Sequence, residues 1–321
     1  MSKILSWISD HLLILVLIVV AFSLLFPQLG SFLNVLSIPL LALMVLCVSL
    51  TINVDSLKDI KKNPFIIIWC AFLQFVPVLL FSFVLGKILF KGNLTTGQIL
   101  LGSLPADISA TLMVCLVGGS TALATAMLVV QMALTPVVLP FAVTLLSGES
   151  FKMPVSYLII ELALVIIIPV VLGIMINHLS KKVRTNRDVF LGSSSICYLG
   201  LLLIVVSINA QSIISLKAFA LVFVAAELML NLFGYLVALI TKLIFRRNEH
   251  FYTMLFLTSS KEFGISSAAA ATMGLSPVVN VPSAFFAVIQ MISMPVVVKI
   301  INHFRQTGNP AKSKRSASND A

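Results

Sequence analysis

Charge is what this chain has least of. Asp, Glu, Lys and Arg make up 10% of its 321 residues, whereas a soluble domain carries about 25%. That shortage excludes an ordinary soluble enzyme, a disordered chain and a nucleic-acid-binding domain. Catalytic motifs are missing as well: no His-Glu-x-x-His, no phosphate-binding loop and no Gly-x-Gly-x-x-Gly occur. The four histidines, His11, His178, His250 and His303, sit apart at the ends of apolar runs. A hydrolase or an ATPase is therefore not expected. The four cysteines, Cys47, Cys70, Cys115 and Cys197, lie inside apolar runs without Cys-x-x-Cys spacing, which fits small buried hydrophobes rather than a metal or redox site. Behind the first apolar run there is no small-residue cleavage site. Phe26-Pro27 closes it instead, so no cleavable signal is expected.

What the chain does have is apolar length. Sixty per cent of it is hydrophobic, and runs of span length recur throughout, the pattern of a polytopic all-α membrane protein. Ten spans are expected, near 11–27, 32–52, 64–90, 96–118, 120–147, 154–178, 187–209, 216–245, 250–273 and 276–303. Residues 305–321 are polar and rich in Lys, Arg and Ser, and a disordered tail is expected there. With ten spans, sixteen Lys and Arg fall on the side of the termini, including Lys58, Lys61, Lys62, Lys181, Lys182 and Arg184. Four, Lys87, Lys91, Lys152 and Lys217, fall on the other side. This bias places both termini in the cytoplasm and the chain in the plasma (inner) membrane.

The chain also repeats itself. Gln131-Met132-Ala133-Leu134-Thr135-Pro136-Val137-Val138 matches Gln290-Met291-Ile292-Ser293-Met294-Pro295-Val296-Val297 at five of eight positions, 159 residues apart. Gln74 and Asn231 form a weaker echo. Five spans per half force the second copy upside down, and inverted repeats mark secondary transporters. The division expected is 1–150 and 151–304, followed by the tail. At the 159-residue offset Ser103 pairs with Glu262, Pro105 with Gly264 and Asp107 with Ser266.

Ionisable groups at membrane depth cost several kcal/mol, about 2.5–3.5 on insertion scales, so each needs a reason. Asp107, Glu161, Glu227, Lys261 and Glu262 lie within runs. Around Glu262 the segment Thr258-Ser259-Ser260-Lys261-Glu262-Phe263-Gly264 predicts a helix break, and Pro105 predicts another in span 4. Broken helices at membrane depth line cavities or bind ions. The expectation is a cation at Glu262 with freed carbonyls of Phe263 and Ile265, Gln74 being either helix–helix glue or a neutral oxygen donor. The amides after each break suit an anionic substrate. Asp107 is either a helix N-cap or a charge carrier. Glu227 and Asn231, four apart, are either a hydrogen-bonded pair or part of a pathway, and Glu161 lies shallow enough to reach the membrane surface.

Several short motifs then resemble one family. They are Met44-x3-Val48-x-Leu50, Leu57-x-Asp59-x-x-Lys62-x-Pro64, Gln74-Phe75 ahead of Pro77, Glu262-x-Gly264, Pro282-Ser283-Ala284-Phe285 and Gln290-x-x-Ser293-x-Pro295. Over roughly residues 30–303 the chain resembles the bile acid:sodium symporter family, within the bile/arsenite/riboflavin transporter superfamily. The resemblance implies ten transmembrane helices in two inverted five-helix repeats. Helices 1, 2, 6 and 7 would form a panel domain and helices 3–5 and 8–10 a core domain, with broken crossing helices 4 and 9. It further implies organic anions moved with Na+, and a Na+ site carried by Gln74, Glu262, Phe263, Ile265 and Ser266, where Ser266 replaces a longer Gln. The family's first Na+ site falls on Ala110, Thr111, Ala124 and Leu128, three of which offer no side-chain oxygen, so at most one Na+ is expected at the two family sites. Helix 10 carries Gln290-Met291 where the family commonly has His-Asn.

The function expected is Na+-coupled symport of a small organic anion, bile-acid-like or a carboxylate, with no enzymatic activity and no cofactor beyond Na+ or H+ as coupling ion. Asp107, Ser109, Thr111, Ser267, Asn231 and Gln290 are the substrate-facing candidates. Two alternatives stay within the superfamily, namely an arsenite-type efflux permease using Cys115, or an H+-coupled anion transporter. A membrane-embedded receptor or enzyme would need a signalling domain or a catalytic His/Ser/Asp set, and neither occurs; a channel is a further alternative, against which paired breaks at half-length favour alternating access. The partners expected are substrate, Na+ and lipid, without nucleic acid.

Overall fold

The computed structural model describes residues 11–52, 64–148, 155–180, 183, 186–216 and 219–307. The described residues form helices and no strand. In chain order they are α1 (Leu12–Leu25), α2 (Gln28–Leu33), α3 (Ser37–Ser49), α4 (Pro64–Phe75), α5 (Pro77–Leu89), α6 (Asn93–Gly102), α7 (Ser109–Leu116), α8 (Thr121–Ala142), α9 (Val155–Leu179), α10 (Arg187–Ile208), α11 (Ala210–Leu216), α12 (Ala220–Phe245), α13 (Asn248–Thr258), α14 (Phe263–Thr272) and α15 (Val281–Thr307). Short 3-10 turns cover Asn34–Leu36 and Pro277–Asn280, and a π turn, Val143–Ser147, closes α8. The N-terminal ten residues, the Leu57–Lys62 motif and the tail from 308 lie outside the described residues. Residues 305–307 of the expected tail belong to α15, which continues to Thr307.

Six helical stretches are long and apolar enough to cross a membrane: Pro64–Leu89, Thr121–Ser147, Val155–Leu179, Val189–Ile208, Ala220–Phe245 and Pro277–Arg305. The first of these is α4 and α5 in series. Pro77 lacks an amide donor and begins α5 at its first turn, where none is needed. The large side chains facing outward on these stretches, Phe65, Ile68, Ile160, Leu164, Leu221 and Leu236 among them, are exposed. A soluble protein rarely exposes so much apolar surface, and a lipid bilayer covers it.

The helices pack in two groups. α3 packs on α9 and α10, and α1 packs on α10. In the other group α5 packs on α6 and α12, α12 on α13 and α15, and α7 on α13 and α8. The apolar core is continuous through both. Close approach within the second group depends on glycine. A Cβ on Gly234 of α12 would lie 2.6 Å from Ser259 Cα and nearer still to the Thr258 carbonyl oxygen. The missing side chain lets α12 support the end of α13 directly, and Thr258 Oγ1 donates to Gly234 O at 2.8 Å.

Candidate functional site at the meeting of two interrupted helices

Two helices are interrupted mid-way, α6 to α7 at residues 103–108 and α13 to α14 at residues 259–262. The interruptions touch. Glu262 N donates to Pro105 O at 2.8 Å, and Asp107 N donates to Ser260 Oγ at 3.2 Å. Each break exposes amides and carbonyls that no helix satisfies, and buried side chains from neighbouring helices take them up.

The supporting bonds occur in two matching sets. Gln74 of α4 donates to Leu104 O at 3.0 Å, and Asn231 of α12 donates to Ser259 O at 2.7 Å. Gln131 of α8 accepts from Ala106 N at 2.8 Å, and Gln290 of α15 accepts from Lys261 N at 2.9 Å. Leu104 thus corresponds to Ser259, Ala106 to Lys261 and Asp107 to Glu262, an offset of 155 residues. This corrects the pairing of Asp107 with Ser266 expected at 159. The larger offset holds for Gln131 and Gln290, but the breaks lie one helical turn closer together in sequence.

The second break also falls earlier than expected. Gly264 is inside α14, which begins at Phe263. The carbonyls of Phe263 and Ile265 are therefore acceptors in a helical ladder rather than freed oxygens. The freed carbonyls belong to the residues before them: Ser259 O is taken by Asn231, and Ser260 O receives Gln74 Nε2 at 3.4 Å.

Lys261 resolves differently from its sequence neighbourhood. Its side chain is fully buried, and Nζ donates to Gly102 O at 2.7 Å and Leu104 O at 3.1 Å. Gly102 closes α6 and Leu104 lies just beyond it, so Lys261 Nζ takes up carbonyls that no helix satisfies. Lys261 thereby latches the second break to the end of α6.

A cavity of about 390 Å³ opens beside the breaks, between the two helix groups. From α7 and the first break come Asp107, Ser109, Thr111 and Cys115. Glu262 comes from the second break, and Ser194, Ser195 and Tyr198 come from α10. Met44 and Val48 of α3 and Met291 of α15 close it. Asp107 is 3% exposed and Glu262 is 2% exposed. Asp107 Oδ1 accepts from Ser109 N at 2.6 Å, fixing the start of α7, and its Oδ2 accepts from Gln290 Nε2 at 2.9 Å. Of the two roles expected of Asp107, the structure shows a capping bond, given from the residue before Ile108, the N-cap of α7.

Of the residues singled out in the sequence, Asp107, Ser109, Thr111 and Glu262 come together on the cavity wall. Asn231 and Gln290 stand behind it as braces. Ser267 is buried in α14 away from the lining. Gln74 has its amide nitrogen on two carbonyls and its Oε1 buried without a hydrogen bond. Ser266 Oγ is bonded to Asn280 Oδ1 at 2.8 Å and Ser283 Oγ at 2.9 Å. Glu227 bonds Gln98 at 3.2 Å rather than Asn231. Glu161 is exposed on α9. Sequence reasoning missed the roles of Gln131, Ser260 and Tyr198. Gln131 was within reach, since it aligns with Gln290 in the repeat. Tyr198 carried no local signal.

Apolar helices with two interruptions joined at a polar centre, beside a cavity, are the build of a membrane transporter. The comparison with known sequences names the group. Residues 38–219 match the Sodium Bile acid symporter family, more than half of the chain, and the chain belongs to that family. Two Bacillus subtilis (strain 168) proteins are similar to it. "Uncharacterized protein YbaS" is 28% identical over 268 residues, 80% of this chain and 85% of the relative. "Uncharacterized sodium-dependent transporter YocS" is 24% identical over 277 residues, 86% of this chain and 85% of the relative. The chain is a multi-pass membrane transporter, not an enzyme.

Proposed function

We propose that the protein is a secondary active transporter that moves a small organic anion, bile-acid-like or a carboxylate, by Na+-coupled symport with alternating access. The observation that carries this reading is the meeting of two interrupted helices, one from each half of the chain, with Asp107 and Glu262 on the wall of one cavity. Matching hydrogen bonds around the two breaks support two five-helix repeats, 1–150 and 151–304. The packing of α1, α3, α9 and α10 on one another supports a panel of helices 1, 2, 6 and 7 beside a core of the remainder. The charge bias along the sequence supports cytoplasmic termini in the inner membrane.

Electrostatics favour an ordered cycle. The cavity wall has two carboxylates, and no Lys or Arg lines it among the described residues. An anion entering this low-dielectric space first needs a cation there. Na+ binds at Glu262, with Gln74 Oε1 and Ser266 Oγ as neutral oxygens from the neighbouring helices, and the anion follows against the amides that begin α7 and α14. A proton on either carboxylate would do the same electrostatic work in an H+-coupled variant.

Purified protein in vesicles, offered a panel of organic anions with and without an inward Na+ gradient, tests this. Uptake of at least one anion should rise with the gradient and be lost in Glu262→Gln. A wild type that transports no anion, or a Glu262→Gln variant with full Na+-driven uptake, contradicts the reading. One observation favours a second reading. Cys115 is exposed and lines the cavity, where an arsenite-type permease would use a thiol. Arsenite efflux lost in Cys115→Ser would move the assignment there.

A further inference from the structure

One buried carboxyl takes no part in the cavity. Glu227 of α12 is fully buried and does not line it. Among the described residues its hydrogen-bond partner is Gln98 of α6, equally buried, whose Nε2 donates to Glu227 Oε2 at 3.2 Å. The other oxygen of each side chain, Glu227 Oε1 and Gln98 Oε1, completes no hydrogen bond. The two orphan atoms thus belong to two side chains already joined to each other. More than about 90% of buried polar groups in proteins have a partner, so a matched pair of unpartnered oxygens requires a cause.

A carboxylate buried within a membrane span needs a cation or several donors. One amide N–H is what reaches Glu227. The cations on α12 and on the elements packed against it are engaged elsewhere. Lys87 of α5 lies over the Phe83 ring, Lys242 of α12 over the Phe251 ring and Arg305 of α15 over the Tyr252 ring. Lys261 Nζ is held by Gly102 O and Leu104 O. Of the other ionisable groups on these elements, Lys299 and His303 are exposed, Glu249 meets Arg247 and His250, and Tyr235 bonds Ser293. Asp107 and Glu262 line the cavity, and α6 and α14 contain no ionisable residue.

A single proton removes both shortages. A neutral carboxylic acid has an O–H to give, and a primary amide has both a donor and an acceptor. Side by side they close a ring of two hydrogen bonds. Gln98 Nε2 donates to one carboxyl oxygen, and the O–H on the other donates to Gln98 Oε1. We propose that Glu227 binds a proton and holds it as a carboxylic acid paired with Gln98, a proton site separate from the cavity. The pair stands behind both breaks. Gln98 lies one turn before Gly102, whose carbonyl holds Lys261, and Glu227 lies one turn before Asn231, which holds Ser259 O. Because α6 and α12 come from opposite halves of the chain, the proton ties the halves together next to the crossing. Buried and off the cavity wall, it stays in place while substrate moves.

The infrared difference spectrum between wild type and Glu227→Gln, taken on purified protein at neutral pH, tests this. A protonated carboxylic acid has a C=O band well apart from the bands of a carboxylate. Glu227→Gln should lose the acid band, and Gln98→Leu should shift it to higher wavenumber as the acid loses its amide. Thermal unfolding gives a second readout. In Glu227→Gln the new amide can donate to Gln98 Oε1 and still accept from Gln98 Nε2, so the unfolding temperature should match the wild type. Gln98→Leu leaves the acid unpaired and should unfold at a lower temperature. Loss of carboxylate bands instead of the acid band in Glu227→Gln means that the group is ionised, and overturns the proposal. An acid band at this residue that appears only on acidification does the same. A Glu227→Gln variant that fails to fold, or unfolds well below the wild type, also overturns it, because a neutral isostere should replace a neutral acid. None of these readouts involves transport, so the outcome is independent of the substrate and the coupling ion.

Discussion

Glu262 and Glu161 are the same group in opposite surroundings. Glu161 is exposed on α9, where its carboxylate can reach the membrane surface. Glu262 is buried at the interruption of a helix, with Asp107 nearby. Glu161→Gln should therefore retain most of the wild-type uptake, measured as initial rate per transporter in vesicles. A loss as deep as that of Glu262→Gln would mean that depth in the membrane does not separate the two. Lys261 shows the limit of residue-level inference. Adjacency in sequence offered Glu262 as its partner, but both residues lie in the interruption, where carbonyls left without a helical partner compete for the side chain. The ammonium reaches Gly102 O and Leu104 O, 159 and 157 residues away.

At the scale of elements, the interruptions were legible because their cause is local. Pro105 removes a donor, and the run Thr258-Ser259-Ser260 offers side chains that compete with the backbone. The exact break was not legible. Whether α14 begins at Phe263 or after Gly264 depends on which distant groups take the free amides, and those are Pro105 O and Gln290 Oε1. The contact of α12 with the second break gives a test at this scale. In a regular helix Gly→Ala gains about 1 kcal/mol of propensity. At Gly234 the added carbon meets backbone at Ser259 and Thr258, which cannot rotate away, and overpacking costs about 1–3 kcal/mol. Gly234→Ala should lower the unfolding temperature. Gly200→Ala should not, because its nearest neighbour is the end of the Leu40 side chain at 3.3 Å. Equal effects at the two positions would remove the close approach from the account.

For the whole molecule, the apolar runs anticipated the helices well. The expected spans at 64–90, 154–178 and 187–209 became Pro64–Leu89, Val155–Leu179 and Val189–Ile208. Apolar periodicity and length are properties of one segment, and they survive folding. The cavity is a property of three-dimensional proximity: Tyr198 shares its wall with Asp107 and Glu262 because α10 packs beside α14. No pattern along the chain announces that. The charge bias makes its own prediction about orientation. A cysteine placed at Ser318, outside the described residues, should resist impermeant thiol reagents in intact cells, and labelling from outside would reverse the topology.

The most direct measurement of the central claim is the Na+ dependence of substrate uptake into vesicles of purified protein. One cation held by Glu262 where the two interrupted helices meet gives a hyperbolic curve with a Hill coefficient of about 1. The same assay on Glu262→Gln then shows no response to Na+. A sigmoidal curve in the wild type, or a Na+ response that persists in Glu262→Gln, would contradict a single coupling ion at this site.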